Sequence, residues 1–284
     1  MLAAMIEHAM PCLTAHGFVS LAYVAWEGPT RRRPVVCVHG LTRNGRDFDR
    51  LAAALATGAP VFCPDMPGRG KSQWLDHAED YAYPTYVSAC AALLARIGAD
   101  EVDWVGTSMG GIIGMFMAAL PGTPIRRLVL NDLGAFIPAT ALSRLATYVG
   151  SDPSFASDAE LETDLRRIAA PFGRLSDADW KHLARISTRR KADGTLGYAY
   201  DPRIGNALRQ GEPKDVDLWA TYDAIGVPTL LLRGAESDLL RAEDARAMTQ
   251  RGPRARLVEF AGVGHAPALM ADDQIAHVRA FLDL

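Results

Sequence analysis

The chain has 284 residues, of which 49% are hydrophobic and 22% are charged, and its formal net charge is −3. This is the composition of a globular protein with enough apolar residues for a sizeable core. The near-neutral charge and the absence of a basic stripe argue against nucleic acid or an acidic lipid surface as a partner.

The N-terminal segment and the cysteines bear on the cellular location. The segment lacks the basic start of a secretory signal peptide, and no apolar run reaches the ~18 residues of a membrane span. The four cysteines show no metal-ligand spacing, and Cys37 and Cys63 fall in apolar runs where a reduced thiol packs as a small hydrophobe. The sequence predicts a cytoplasmic protein without a membrane span and leaves its oligomeric state open.

Strand-like and helix-like segments alternate along much of the chain. We predict an early antiparallel strand at 18–26, buried strands at 34–38 and 60–63 around a helix at 48–56, and a helix at 84–97. A strand at 102–105, a helix ending near 120 and a strand at 125–131 follow. The pattern resumes with strands at 227–232 and 255–260 and a closing helix at 274–282. Repeated β-α units predict an α/β fold with a mostly parallel, doubly wound sheet.

The stretch from 135 to 223 has a different character. Ser157 and Ser176 each precede an acidic residue by three positions, as at the start of helices with capping boxes. The stretch contains no convincing β-α-β unit. We therefore expect a helical cap at 135–223, with the core formed by 1–134 and 224–284.

The sequence Gly-Thr-Ser-Met-Gly at 106–110 lies where a predicted strand meets a predicted helix. A G-x-S-x-G sequence in that context forms a tight turn that raises the serine hydroxyl above the sheet, so Ser108 is a candidate nucleophile. A capping serine in a glycine-rich helix start is the alternative. A phosphate-binding loop is not indicated, because the spacings of nucleotide-binding motifs are missing, and we expect neither a cofactor nor a metal.

A serine nucleophile needs a base and an acid that orients the base. His265 follows the last predicted strand and is the candidate base. In the chain order serine, acid, histidine, Asp238 follows the strand at 227–232 and is our choice for the acid. Asp132, at the end of the strand at 125–131, and Glu236, on the same loop as Asp238, are the alternatives.

Acyl transfer also needs donors for the oxyanion. The backbone N–H of Met109, directly after the serine, is one candidate, and the N–H of Leu41, in the loop after the strand at 34–38, is the other. His39 in that loop is expected to support it rather than to bind a metal.

These motifs together resemble the α/β-hydrolase superfamily. His39-Gly40 resembles its oxyanion loop, Asp65-Met66-Pro67-Gly68-Arg69-Gly70-Lys71-Ser72 resembles its D-x-P-G-x-G-x-S turn, 106–110 the nucleophile elbow, and Gly264-His265 the histidine loop. The resemblance implies the fold of that superfamily, with a helical cap after the sixth strand, and a Ser-His-Asp mechanism. Members that dehalogenate or open epoxides carry aspartate at the elbow, so Ser108 argues against both activities.

The leading hypothesis is a serine hydrolase of small or medium carboxylic esters or lactones, a carboxylesterase whose partner is a small-molecule ester. Superfamily relatives also hydrolyse carbon–carbon bonds of dienoic ring-cleavage products. Arg43, close to the oxyanion loop, keeps that alternative open because such substrates are dianionic. A ligand receptor with a vestigial triad is the hypothesis from another class.

Overall fold

The computed structural model describes residues 4–30, 32–209 and 211–284. The strands of this part of the chain are β1 (Met5–Thr14), β2 (Gly17–Trp26), β3 (Val35–Val38), β4 (Val61–Pro64), β5 (Val102–Thr107), β6 (Ile125–Asn131), β7 (Phe136–Ile137), β8 (Thr188–Arg190), β9 (Leu196–Tyr198), β10 (Val216–Asp217), β11 (Thr229–Gly234) and β12 (Arg256–Phe260). Its α-helices are α1 (Asp49–Leu55), α2 (Tyr83–Arg96), α3 (Met109–Ala118), α4 (Ala139–Ala146), α5 (Asp158–Ile168), α6 (Asp177–Ser187), α7 (Asn206–Arg209), α8 (Trp219–Asp223), α9 (Ala242–Met248) and α10 (Asp272–Leu282).

The central sheet has eight strands in the order β1-β2-β4-β3-β5-β6-β11-β12. The six strands from β4 to β12 run parallel, whereas β1 and β2 pair antiparallel at one edge. The predicted mostly parallel sheet is therefore confirmed. Its central strands are continuous apolar runs because both of their faces are covered; all four residues of β3 are buried.

Two hydrophobic clusters lie on the two faces of the sheet. Leu51 of α1 and Val278 of α10 belong to one cluster, and Leu93 of α2 and Ile113 of α3 belong to the other. The sheet is thus doubly wound, as the alternation of strands and helices predicted. The four cysteines are buried and free.

Strand β1 is an element that the sequence pattern did not reveal. It pairs with β2 along its whole length, but it carries Pro11 and exposes most of its side chains. An edge strand of this kind lacks the apolar alternation that identifies a half-buried strand, and proline is tolerated at an edge.

The segment 135–223 leaves the sheet after β6, the sixth strand, and returns before β11. We call it the cap. It contains α4 to α8, and Ser176 forms the expected capping box with Asp179. It also contains two small two-stranded sheets, β7 with β10 and β8 with β9, whose strands are too short to show a period in the sequence. Across the described residues, no helix combines the length and the apolar character needed to span a lipid bilayer.

Candidate active site

Ser108 lies in a strained turn between β5 and α3. Its backbone has φ 50° and ψ −114°, outside the regions that L-residues prefer. A Cβ at Gly106 would come within 2.3 Å of the Gly110 carbonyl oxygen, and a Cβ at Gly110 would come within 2.0 Å of the Val38 carbonyl oxygen. The two glycines of the motif are therefore required by close backbone approach, and the turn they permit places Ser108 above the carboxyl end of the sheet.

His265 contacts the serine from the loop after β12. Its Nε2 lies 3.1 Å from the Ser108 hydroxyl oxygen, and its Nδ1 lies 2.7 Å from an Asp132 carboxylate oxygen. Because a carboxylate only accepts hydrogen bonds, the proton of the neutral ring belongs on Nδ1, which leaves Nε2 free to accept from Ser108. The structure thus brings the two predicted residues, Ser108 and His265, into hydrogen-bonding range.

The acid that contacts His265 is Asp132, not Asp238, and this corrects our choice from the sequence. Asp132 is fully buried directly after β6, and its second carboxylate oxygen accepts the Gly234 N–H at 2.8 Å. Ser237 donates to the carboxylate oxygen that also contacts His265. These contacts hold the carboxylate towards the histidine.

Asp238 points away from this site. Its side chain is 47% exposed and pairs in a bidentate manner with the Arg144 guanidinium of helix α4, with one of the two bonds at 2.9 Å. The physical reason is the turn after β11, in which the Ser237 N–H donates to the Gly234 carbonyl. That turn directs Ser237 inward and leaves Asp238 facing the cap. Glu236, the other alternative, is exposed.

The predicted oxyanion donors lie on either side of Ser108. In the described part of the chain, neither the Leu41 N–H nor the Met109 N–H has a hydrogen-bond partner. Met109 begins helix α3, where the helix dipole also favours negative charge. Leu41 and Met109 therefore have the free donors that an oxyanion requires.

His39 orients the peptide that carries the Leu41 N–H. The Met66 N–H donates to His39 Nε2 at 2.9 Å, so Nδ1 carries the proton and donates to the Gly40 carbonyl at 2.7 Å. Burial lowers the pKa of His39 to about 3, so the ring is neutral. Since the Gly40 carbonyl and the Leu41 N–H belong to one peptide unit, the histidine fixes the direction of that donor. This is the supporting role expected for His39.

Two chambers meet at Ser108, and Leu41 and Leu145 also line both of them. The first, which we call the arginine chamber, has a volume of about 140 Å³; its charged lining consists of Arg43, Arg144 and Arg167 with Asp47 and Asp164, and His265 also lines it. The second, the apolar chamber, has a volume of about 670 Å³ and is lined by Met109 and by side chains such as Tyr83, Ile112, Phe116, Leu133 and Leu142. The serine therefore faces two environments of different chemistry.

Arg43 is the arginine that reaches the arginine chamber from the core. A Cβ placed on Gly40 would lie 3.7 Å from Ser108 Cβ and 3.9 Å from Arg43 Cγ, so both side chains lie next to Gly40. Its guanidinium makes a bidentate pair with Asp47, at 2.6 and 2.8 Å, and donates to the Ser187 hydroxyl at 2.9 Å. Three of its five N–H groups are thereby engaged, and two have no partner among the described residues.

Comparisons with known proteins agree with this arrangement. A family model described as "Alpha/beta hydrolase family" matches residues 35–278. The chain is 41% identical over 273 residues to a 3-hydroxybutyrate-oligomer hydrolase from Cupriavidus necator, covering 93% of both chains. It is 27% identical to an esterase from Mycobacterium tuberculosis over 85% of this chain and 78% of the other.

A solved structure of similar shape is an alpha/beta hydrolase from Novosphingobium aromaticivorans. It superposes with a TM-score of 0.88 at 33% identity and covers 100% of this chain and 99% of the other. Shape and sequence thus agree over the cap as well as the core.

Proposed function

Since the chain belongs to the alpha/beta hydrolase family, we propose that it hydrolyses carboxylic esters through an acyl-enzyme on Ser108. The observation that carries the proposal is the unbroken chain of contacts from Ser108 through His265 to the buried Asp132. The hydrolases and esterases among its relatives support the same reaction class.

In the first half of the reaction, Ser108 Oγ attacks the ester carbonyl carbon while His265 Nε2 takes the hydroxyl proton. The negative charge that forms on the carbonyl oxygen is held by the Leu41 and Met109 N–H groups. The imidazolium formed on His265 is stabilised by Asp132 and returns its proton to the departing alcohol. In the second half, the same nitrogen takes a proton from water, which attacks the acyl carbon; the bond from this carbon to Ser108 Oγ then breaks, His265 returns the proton to Oγ, and the acid is released.

The position of His265 sets the direction of the substrate. The leaving oxygen must accept a proton from His265 Nε2, so the alcohol half lies on the side that the histidine lines, which is the arginine chamber. The acyl half then extends past Met109 into the apolar chamber, whose volume of about 670 Å³ suits small and medium acyl chains. The cap, 135–223, forms the roof of both chambers.

The arginine chamber favours an alcohol that carries a carboxylate. A hydroxy acid has both groups within a few bonds of each other, and the two free N–H groups of Arg43 are the matching donors. In an oligomer of a hydroxy acid, the alcohol half released from the last ester bond is such a hydroxy acid. The relative that acts on 3-hydroxybutyrate oligomers makes short linear oligomers of hydroxy acids the first substrates to test.

A fluorophosphonate probe tests the proposal directly. We expect one equivalent of adduct on Ser108, detected by mass spectrometry, and none in Ser108→Ala, with loss of turnover of a p-nitrophenyl ester in the same variant. An inert serine in a folded protein, together with no hydrolysis of esters or lactones, would instead support a ligand receptor. Turnover of a dienoate in place of esters would support carbon–carbon hydrolysis.

A further inference from the structure

Arg69 is a buried cation that has no carboxylate partner in the part of the chain that the structure describes. Its side chain is fully buried, and no Asp or Glu oxygen of the described residues lies within 4.0 Å of its guanidinium. Removing such a charge from water is costly unless it is compensated. The sequence motif around it explains a tight turn, but it does not explain why this position should carry a charge.

Neutral groups solvate this charge. Arg69 Nε donates to the Leu41 carbonyl at 2.8 Å, and Nη1 donates to the Pro67 carbonyl and to the Tyr86 hydroxyl, each at 2.8 Å. The guanidinium also lies 4.8 Å from the centre of the Tyr86 ring. These contacts occupy three of the five N–H groups of Arg69 without neutralising the charge, so the guanidinium keeps a positive potential towards its surroundings.

Two of the residues that Arg69 contacts are the two proposed oxyanion donors. Besides the bond to the Leu41 carbonyl, Nη2 contacts the Met109 sulfur at 3.6 Å. The oxyanion of a tetrahedral intermediate would form between the N–H groups of the same two residues. The ester carbonyl is neutral before the attack, so the attraction arises only as the reaction creates the oxyanion, and such an interaction lowers the barrier.

We propose, on the basis of the proposed esterase function, that Arg69 is a positioning residue of the oxyanion site. It fixes the backbone of Leu41 through Nε and supplies an unbalanced positive charge behind both donors. Its contribution appears in the transition state rather than in the binding of a neutral ester.

The test is the variant Arg69→Met compared with wild type and Arg69→Lys. For a neutral ester, we expect Arg69→Met to lower kcat by about 10- to 100-fold with KM nearly unchanged, which is less than the loss of a direct oxyanion donor. Its affinity for a trifluoromethyl ketone, which forms an oxyanion adduct on Ser108, falls by the same factor. The kcat and the ketone affinity of Arg69→Lys should lie between those of wild type and Arg69→Met, because lysine keeps the charge but loses the paired donors of the guanidinium.

Arg203→Met is the matched control. Arg203 is bound to Asp201 at 2.6 Å and to the Leu75 carbonyl at 2.6 Å, so its charge is balanced locally. We expect a lower melting temperature but an unchanged kcat and ketone affinity. A wild-type kcat in folded Arg69→Met, or a loss confined to KM, would overturn the inference.

If Arg69→Met does not fold, Arg69→Gln decides the question, because it keeps amide donors for the Leu41 carbonyl but carries no charge; a kcat within twofold of wild type in folded Arg69→Gln would refute the inference. Failure of the wild type itself to label with fluorophosphonate or to hydrolyse any ester would contradict the proposed function instead.

Discussion

Ser237 donates a 2.5 Å hydrogen bond to the carboxylate oxygen of Asp132 that contacts His265. The hydroxyl therefore competes with the imidazole for the same oxygen while it prevents the carboxylate from rotating. The Ser237 Oγ also accepts the N–H groups of Leu239 and Leu240, at 3.3 and 3.1 Å. One serine thus connects the loop after β11 to the end of β6.

Replacement of Asp132 is the most direct test of the proposed triad of Ser108, His265 and Asp132. We expect Asp132→Asn to reduce kcat by up to ~10⁴-fold, because the amide no longer holds His265 with the proton on Nδ1. Ser237→Ala keeps the carboxylate and should cost about tenfold or less. Steady-state kinetics on a p-nitrophenyl ester, with circular dichroism to establish folding, gives both values. Near-wild-type kcat in folded Asp132→Asn would remove Asp132 from the mechanism.

Asp238→Asn should behave in the opposite way. The side chain is half exposed and paired with Arg144, and an exposed ion pair contributes about 1 kcal/mol or less. We expect kcat to stay within about threefold of wild type, with a small fall in melting temperature. A large loss of kcat in a stable Asp238→Asn protein would restore Asp238 as the acid.

Much of this site is predictable from local sequence. Sequence motifs identify the elbow glycines, Ser108 and the histidine loop, because a strained turn requires specific residues at fixed spacing. No such motif identifies the acid, since Asp132 and Asp238 both follow strands and both precede His265. Only the tertiary structure decides between them, by burying Asp132 and giving Asp238 a partner, Arg144, far away in the sequence. The sequence likewise shows that position 69 is an arginine, but only the tertiary structure shows that no described carboxylate lies beside its guanidinium.

Arg43 should determine preference for a charged leaving group. We compare 3-butyryloxybutyrate, whose carboxylate is free, with the same compound after methylation of that carboxylate. For hydrolysis of the butyryl ester bond, we expect wild type to have a kcat/KM about tenfold higher with the free acid, in line with a charge-assisted hydrogen bond. Arg43→Met should abolish the preference mainly by raising KM for the free acid. In Asp47→Asn, Arg43 loses its counter-ion, and the preference should grow. Equal rates for both substrates in wild type would contradict carboxylate recognition.

The apolar chamber should set the acyl length. Leu142 of α4 lines it, so Leu142→Trp should fill part of the space and shift the optimum of a p-nitrophenyl ester series towards shorter chains. Ser143→Trp, at the adjacent exposed position, is the control and should leave the optimum unchanged. If Leu142→Trp alters only the response to the alcohol half, the orientation of the substrate is reversed.

Stability should fall in acid because His39 must stay neutral. Its folded pKa is about 3, whereas its unfolded value is ~6.5, so the unfolded chain binds more protons between these values. The stability from this group is fully present above pH 6.5 and is lost as the pH falls towards 3, with a slope of up to ~1.4 kcal/mol per pH unit. Denaturant titrations at several pH values should show a shallower slope in His39→Gln. An identical slope would mean that His39 is protonated in the folded protein.

Neighbouring residues of the loop after β11 serve two different parts of the molecule. Ser237 donates to Asp132, the acid of the proposed triad, and Asp238 pairs with Arg144 of helix α4 in the cap. On the other side, Asp132 directly follows β6 and lies three positions before the cap begins at residue 135. Asp132 and Ser237, which together position His265, are therefore both close in sequence to points where the chain contacts or enters the cap. A substitution in helix α4 that shifts the cap should therefore change the position of His265 as well as the shape of the two chambers.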